Sequence, residues 1–215
     1  MEKMNLFNFF GKRSLTDQAL AVMAVSLLPA LFVVKGIEGA FVYSILLTLY
    51  LVLSVLIQTF VYKFMPEKMR EVLVLVGLVV SVTAVKLIAD VVFYNFASLN
   101  STYLYLMILN PVPVVFFKQE EELPLSNKLY EMLVKAVNIL VLLLVFGLLR
   151  EILGSATLTF GAYLEFIPSK VIDLGFTKYA IGVLLNPLGA FLIFGLLLAL
   201  IKLLSKDSEV TQWFT

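Results

Sequence analysis

The chain of 215 residues contains no cysteine and no histidine. Those absences exclude disulfides, thiolate clusters and the usual zinc or haem ligation by its own side chains. They also exclude every catalytic scheme built on His or Cys. Charge is scarce as well: 14% of residues are charged, where a soluble domain has about a quarter. The net charge of +1 is too small, and too evenly divided between signs, for nucleic-acid binding. Segments of about ten alternating residues, which a membrane β-barrel would require, are missing too.

What is present is apolar: 61% of the residues. A helix crosses a hydrocarbon core of about 30 Å with roughly 20 apolar residues, and several uncharged runs reach that length. The expected fold is an all-α integral membrane domain with six spans. Residues 1–14 form an amphipathic segment in which Lys3, Lys12 and Arg13 surround Met4, Leu6, Phe7, Phe9 and Phe10. Span one starts near Asp17 and meets Pro29, where a kink or break is expected. Span two runs from Ala40 to Tyr62 and span three from Val72 to Phe96, with an aqueous linker over Lys63–Glu71 between them. A fourth segment, Tyr103 to Leu109, meets Asn110-Pro111-Val112-Pro113 and stops at Lys118 and the acids Glu120, Glu121 and Glu122. Span five covers Leu133 to Leu149. A long connection follows from Gly154 to Leu185, its later part apolar enough to dip into the membrane. Span six opens with Asn186 as cap and Pro187 in the first helical position. A polar tail occupies 206–215.

Segments one and four share a polar start, about three apolar turns and a proline break, and each precedes two unbroken spans. Three crossings separate them, so they enter from opposite faces. This is the pattern of an inverted repeat, 15–97 and 98–205, whose broken helices meet near the midplane. With six crossings, Lys3, Lys12, Arg13, Lys63, Lys68, Arg70, Lys118, Lys128, Lys202 and Lys206 fall on one side. Only Lys35, Arg150, Lys170 and Lys178 fall on the other, which makes both termini cytoplasmic.

A few polar residues fall within or at the ends of spans. Lys86 and Asp90 are four apart on one helix face. They lie about 22 and 28 Å along span three, so pairing with each other and snorkelling to water accounts for both; an ion or proton relay is the alternative. Asn110 and Asn138 read as interhelical hydrogen-bonding groups. Arg150 and Glu151 end span five between Gly147 and Gly154, which permit close helix approach. The pair is read either as interfacial or as part of a partner contact. Asp90, Glu151, Glu165 and Asp173 are too scattered for an acid–base site, and no catalytic or metal-ligating residue is assigned.

Arg150-Glu151-Ile152-Leu153-Gly154-Ser155-Ala156-Thr157-Leu158 resembles the Arg-Glu-Ile-Leu-Gly-Ser-Gly-Thr-Leu stretch of the Rnf/Nqr membrane-subunit family. These are the six-helix subunits of the Rnf electron-transport complex and of the sodium-pumping NADH:quinone oxidoreductase. Pro187-Leu188-Gly189-Ala190-Phe191 and Phe64-Met65-Pro66-Glu67-Lys68-Met69-Arg70 also resemble family motifs, and the likeness spans about residues 15 to 205. It implies membership of an ion-translocating complex in a prokaryotic cytoplasmic (inner) membrane, with lipid and a second six-helix subunit, or a second copy, as partners. It also implies a 2Fe-2S cluster shared between paired subunits. The cysteines that would hold that cluster correspond to Leu28 and Pro111, so this chain contributes no ligand and no cofactor is expected from it. Pro29, Asn110, Lys86, Asp90, Arg150, Glu151 and Gly154 are the candidates for an ion pathway or interface. The alternative is a cluster-free paralogue working as a small transporter or channel-like protein.

Overall fold

A computed structural model describes residues 27–110, 112–113, 124–164, 168–175 and 177–204. The amphipathic segment 1–14, the start of span one, Pro111, the acids 120–122 and the tail 206–215 lie outside the described residues. We number the elements α1 (27–33), α2 (Ile37–Phe64), α3 (Glu67–Val92), α4 (Tyr94–Leu99), α5 (Ser101–Tyr105), α6 (Leu125–Ser155) and α7 (Pro187–Leu204). Between α6 and α7 lie β1 (Thr157–Phe160) and β2 (Lys170–Asp173), followed by 3-10 turns at Thr177–Tyr179 and Gly182–Leu185.

Among the described residues α2, α3 and α6 are long and apolar enough to cross a membrane, and α7 is apolar and shorter. The helix stops are those that local chemistry dictates. Pro66 follows α2 and holds Met65 extended, while Lys63 in the last turn opposes the negative end of the helix dipole. Pro187 opens α7, where its missing N–H has no bond to lose, and the Ala190 amide donates to the Asn186 carbonyl at 3.0 Å. The described chain is helical through Pro29 and leaves the helix only at Val34-Lys35-Gly36, one turn beyond the proline. After α5, a 3-10 turn at Leu106–Leu109 ends in Asn110, whose extended backbone (ψ 114°) is the geometry a following proline imposes.

The connection after α6 differs from the all-helical expectation. Thr157–Phe160 and Lys170–Asp173 pair antiparallel, with Thr157 opposite Asp173 and Phe160 opposite Lys170. Every residue of β2 is exposed. Their β-branched residues (Thr157, Thr159, Val171, Ile172) fit a pleated strand better than a membrane-dipping helix.

The core forms around α2, which packs chiefly on α6 and then on α3. Its inner face buries Tyr43, Leu46, Leu47, Tyr50, Leu51, Ser54, Val55 and Gln58. The start of α2 meets the end of α6, so the two run antiparallel. Gly147 sets their approach: a Cβ there would stand 2.7 Å from the Gly36 carbonyl oxygen and 2.8 Å from the Ala40 Cβ. Lipid tails are as apolar as leucine, so such close backbone packing, rather than burial as such, holds membrane helices together. The hydroxyls of Ser44, Thr48, Thr59 and Ser81 donate to carbonyls one turn back in their own helices. Asn110 departs from the interhelical expectation. Asn110 Oδ1 accepts the Val112 amide locally at 2.9 Å, and the Nδ2 atoms of Asn110 and Asn138 are buried without a partner among the described residues.

Candidate functional site

Three charged side chains cluster here, Arg150 and Glu151 at the end of α6 and Glu38 in the first turn of α2, and their hydrogen bonds go chiefly to backbone groups. The last carbonyls of any helix lack intrahelical donors, and the first amides lack acceptors. Where α1 stops and α2 begins within three residues, both kinds of orphan are brought together inside the protein.

Arg150 is fully buried and answers the carbonyls. Its Nη1 donates to the Leu31 oxygen at 2.9 Å and to the Val34 oxygen, both at the end of α1. On its other edge Nε donates to the Leu184 oxygen at 2.9 Å and Nη2 to the Leu185 oxygen at 2.6 Å, in the turn that leads into α7. A guanidinium suits this task because its rigid fork presents donors on two edges at once, and it stays protonated. Its cation also sits at the negative end of α1. Phe146, one turn earlier on α6, places its ring 6.0 Å from the guanidinium carbon.

Glu151, the next residue, answers the amides. Its Oε2 accepts the Ile37 N–H at 2.9 Å, at the start of α2, where a negative charge is favoured. Its Oε1 accepts both the amide and the hydroxyl of Thr159 in β1, each at 2.6 Å. Gly36 makes this approach feasible: a Cβ there would fall 2.6 Å from Glu151 Oε2. Consecutive residues on α6 thus clamp the two sides of one helix break, the cation on the end of α1 and the anion on the start of α2.

The third charge is Glu38, in the first turn of α2. The residue is 4% exposed, and its carboxylate accepts the amides of Ala162 at 2.9 Å and of Tyr163 and Leu164 at 2.7 Å. Three successive N–H groups turned inward form a nest for an anion. The signal that could have marked it is an acid in the first helical turn, two residues after Gly36. The Tyr163 ring meets Phe96 edge-on at 5.2 Å. Burial first, then the negative charges of Glu38 and Glu151, push the Tyr163 phenol above its ordinary value.

Gly154 belongs to the same cluster, since a Cβ there would stand 2.8 Å from the Leu185 side chain. At Ala156 the chain takes the left-handed conformation (φ 56°), and its amide bonds the Ile152 carbonyl at 3.1 Å. This is the αL helix stop, a position that favours glycine. The Lys86–Asp90 pair lies elsewhere, on α3, with Nζ 2.5 Å from the carboxylate oxygens, the lysine nearly buried and the aspartate 39% exposed. Pro29 and Asn110 are buried, and Leu28 is half-buried.

The donor set does not fit the iron–sulfur cluster that the resemblance implies. Such clusters are held by four ligands, normally thiolates, and the positions concerned are a leucine, Leu28, and a proline, Pro111, in a chain without cysteine. Among the described residues no three His, Cys, Asp or Glu side chains gather as a metal site. What the arrangement does chemically is neutralise backbone ends in a dry environment.

A family model described as "Rnf-Nqr subunit, membrane protein" matches residues 6–198. No curated protein matches the chain.

Proposed function

The chain belongs to the Rnf-Nqr family of membrane subunits, and from that premise we propose that it is a scaffold subunit of an ion-translocating electron-transport assembly, without an iron–sulfur cluster of its own. The observation that carries this reading is the Arg150–Glu151 clamp. The most specific family-like stretch is used to fix the break between α1 and α2, the neighbouring hairpin and the approach to α7. That role needs no thiolate, so it survives at a chain whose cluster positions are Leu28 and Pro111.

In this reading six spans form two inverted three-helix repeats, and the chain pairs with a second six-helix subunit in a prokaryotic inner membrane with both termini in the cytoplasm. The excess of Lys and Arg on one set of loops supports that orientation. Arg150, Glu151 and Gly154 serve the scaffold, because their hydrogen bonds and contacts are taken up by backbone and by Leu185. Lys86, Asp90, Pro29 and Asn110 are left as the candidates for an ion pathway. Deleting the chain tests the proposal: the companion six-helix subunit is expected to fall in abundance in the membrane as its assembly fails. An unchanged level and unchanged electron-transfer activity of the membranes would overturn it. Iron bound by this subunit in the purified assembly would overturn the cluster-free part alone.

A further inference from the structure

We propose that the turn joining α2 to α3 is a binding site for an anionic diacyl phospholipid. Both helices are of membrane-crossing length, so Met65 and Pro66 between them sit at the level of lipid headgroups. In sequence the turn carries Lys63, Lys68 and Arg70 within eight residues, and with the two acids of 63–71 counted it keeps one net positive charge.

The cations are set among aromatic rings. Arg70 donates from Nε to the Met65 carbonyl at 3.1 Å, and its guanidinium carbon lies 5.1 Å from the centre of the Tyr62 ring. Lys63 Nζ stands 5.5 Å from the centre of the Phe64 ring, and that ring packs against Phe60 at 4.7 Å. Phe60 and Phe64 on α2 are 59% and 60% exposed, and on α3 Met69, Val72 and Val76 are exposed as well, an apolar track on the helices flanking the turn.

The two halves of this patch match the two halves of one molecule. Aromatic rings and lysines at a helix end belong to the membrane interface, and basic clusters there select anionic headgroups over zwitterionic ones. The exposed track along Phe60, Phe64, Val72 and Val76 would lie against the acyl chains. A soluble anion would leave that track uncovered, which is why the site is assigned to a lipid rather than to free phosphate.

The full chain, purified with its companions and placed in phosphatidylcholine nanodiscs with or without phosphatidylglycerol, tests the proposal. The readouts are lipid retention by native mass spectrometry and thermal unfolding. Phosphatidylglycerol is expected to be retained and to raise the unfolding temperature, whereas phosphatidylcholine alone does neither. The double variant Lys63→Gln/Lys68→Gln, at two exposed positions, is expected to weaken retention about 30-fold, at about 1 kcal/mol for each basic residue. Arg70→Lys, which keeps the charge, is expected to retain the lipid. Equal retention of the two lipids, or a double variant that binds like the parent, would overturn the assignment. A full effect from inorganic phosphate alone would overturn the lipid as occupant.

Discussion

Replacing Arg150 with methionine keeps a stem of comparable length and removes the guanidinium. Four backbone oxygens then lose their donor, those of Leu31 and Val34 in a buried place and those of Leu184 and Leu185 in a partly buried one. One buried polar group left unpaired costs about 1–3 kcal/mol. The four do not add, because a carbonyl has a second lone pair and the end of α1 can relax. Several carbonyls stranded together put the expected loss for Arg150→Met at about 3–5 kcal/mol. Arg150→Lys should fall between variant and parent, at about 2 kcal/mol, since one ammonium on a flexible stem cannot reach oxygens on two sides. Lys86→Gln is the control. Its pair with Asp90 is partly exposed, so its removal should cost less than about 1 kcal/mol. Reversible unfolding in mild detergent, followed for the parent and all three variants, gives the ranking. An Arg150→Met protein as stable as Lys86→Gln would refute the clamp.

Three further outcomes follow from the same cluster. Glu151→Gln keeps the shape but turns one acceptor into a donor, so the Ile37 amide or the Thr159 pair loses its partner. A loss of about 1–3 kcal/mol is expected, with faster proteolysis in 157–164; unchanged cleavage there would contradict the tether. Ala156→Gly relieves a left-handed alanine and should raise stability by about 1 kcal/mol, whereas a lowered melting temperature would refute the strain. The Tyr163 phenol is raised by burial and by Glu38 and Glu151, so the folded state holds its proton where the unfolded chain has lost it. Its stabilising contribution is therefore full below the ordinary tyrosine range and disappears as pH rises through the raised value. Tyr163→Phe should flatten the alkaline loss of stability, and an identical pH profile would argue against that source.

Much of the helical frame was legible. The uncharged runs located α2, α3 and α6, and Pro187 marked the start of α7 because a missing N–H fits only a first turn. The Lys86–Asp90 pair followed from four-residue spacing alone. The site was legible only in part. Arg150 and Glu151 stood out as charges ending a span, yet nothing in the sequence showed what they bind. Three of their partners are backbone groups more than a hundred residues away, at Leu31, Val34 and Ile37, and every residue type offers the same carbonyl and almost every one the same amide. Glu38 was missed for that reason, since its acceptor role is answered by the amides of Ala162, Tyr163 and Leu164. The hairpin was missed because Val171 and Ile172 are as apolar as a membrane-dipping segment, and their pairing with β1 shows only in the fold.

Membership of a larger membrane assembly is tested most directly by the mass and composition of the particle released from its native membrane in mild detergent. The expected particle is well above the 24.1 kDa of the chain and contains a second six-helix subunit together with flavin- or cluster-bearing proteins. A particle made of this chain alone, in one copy or several, would contradict that membership.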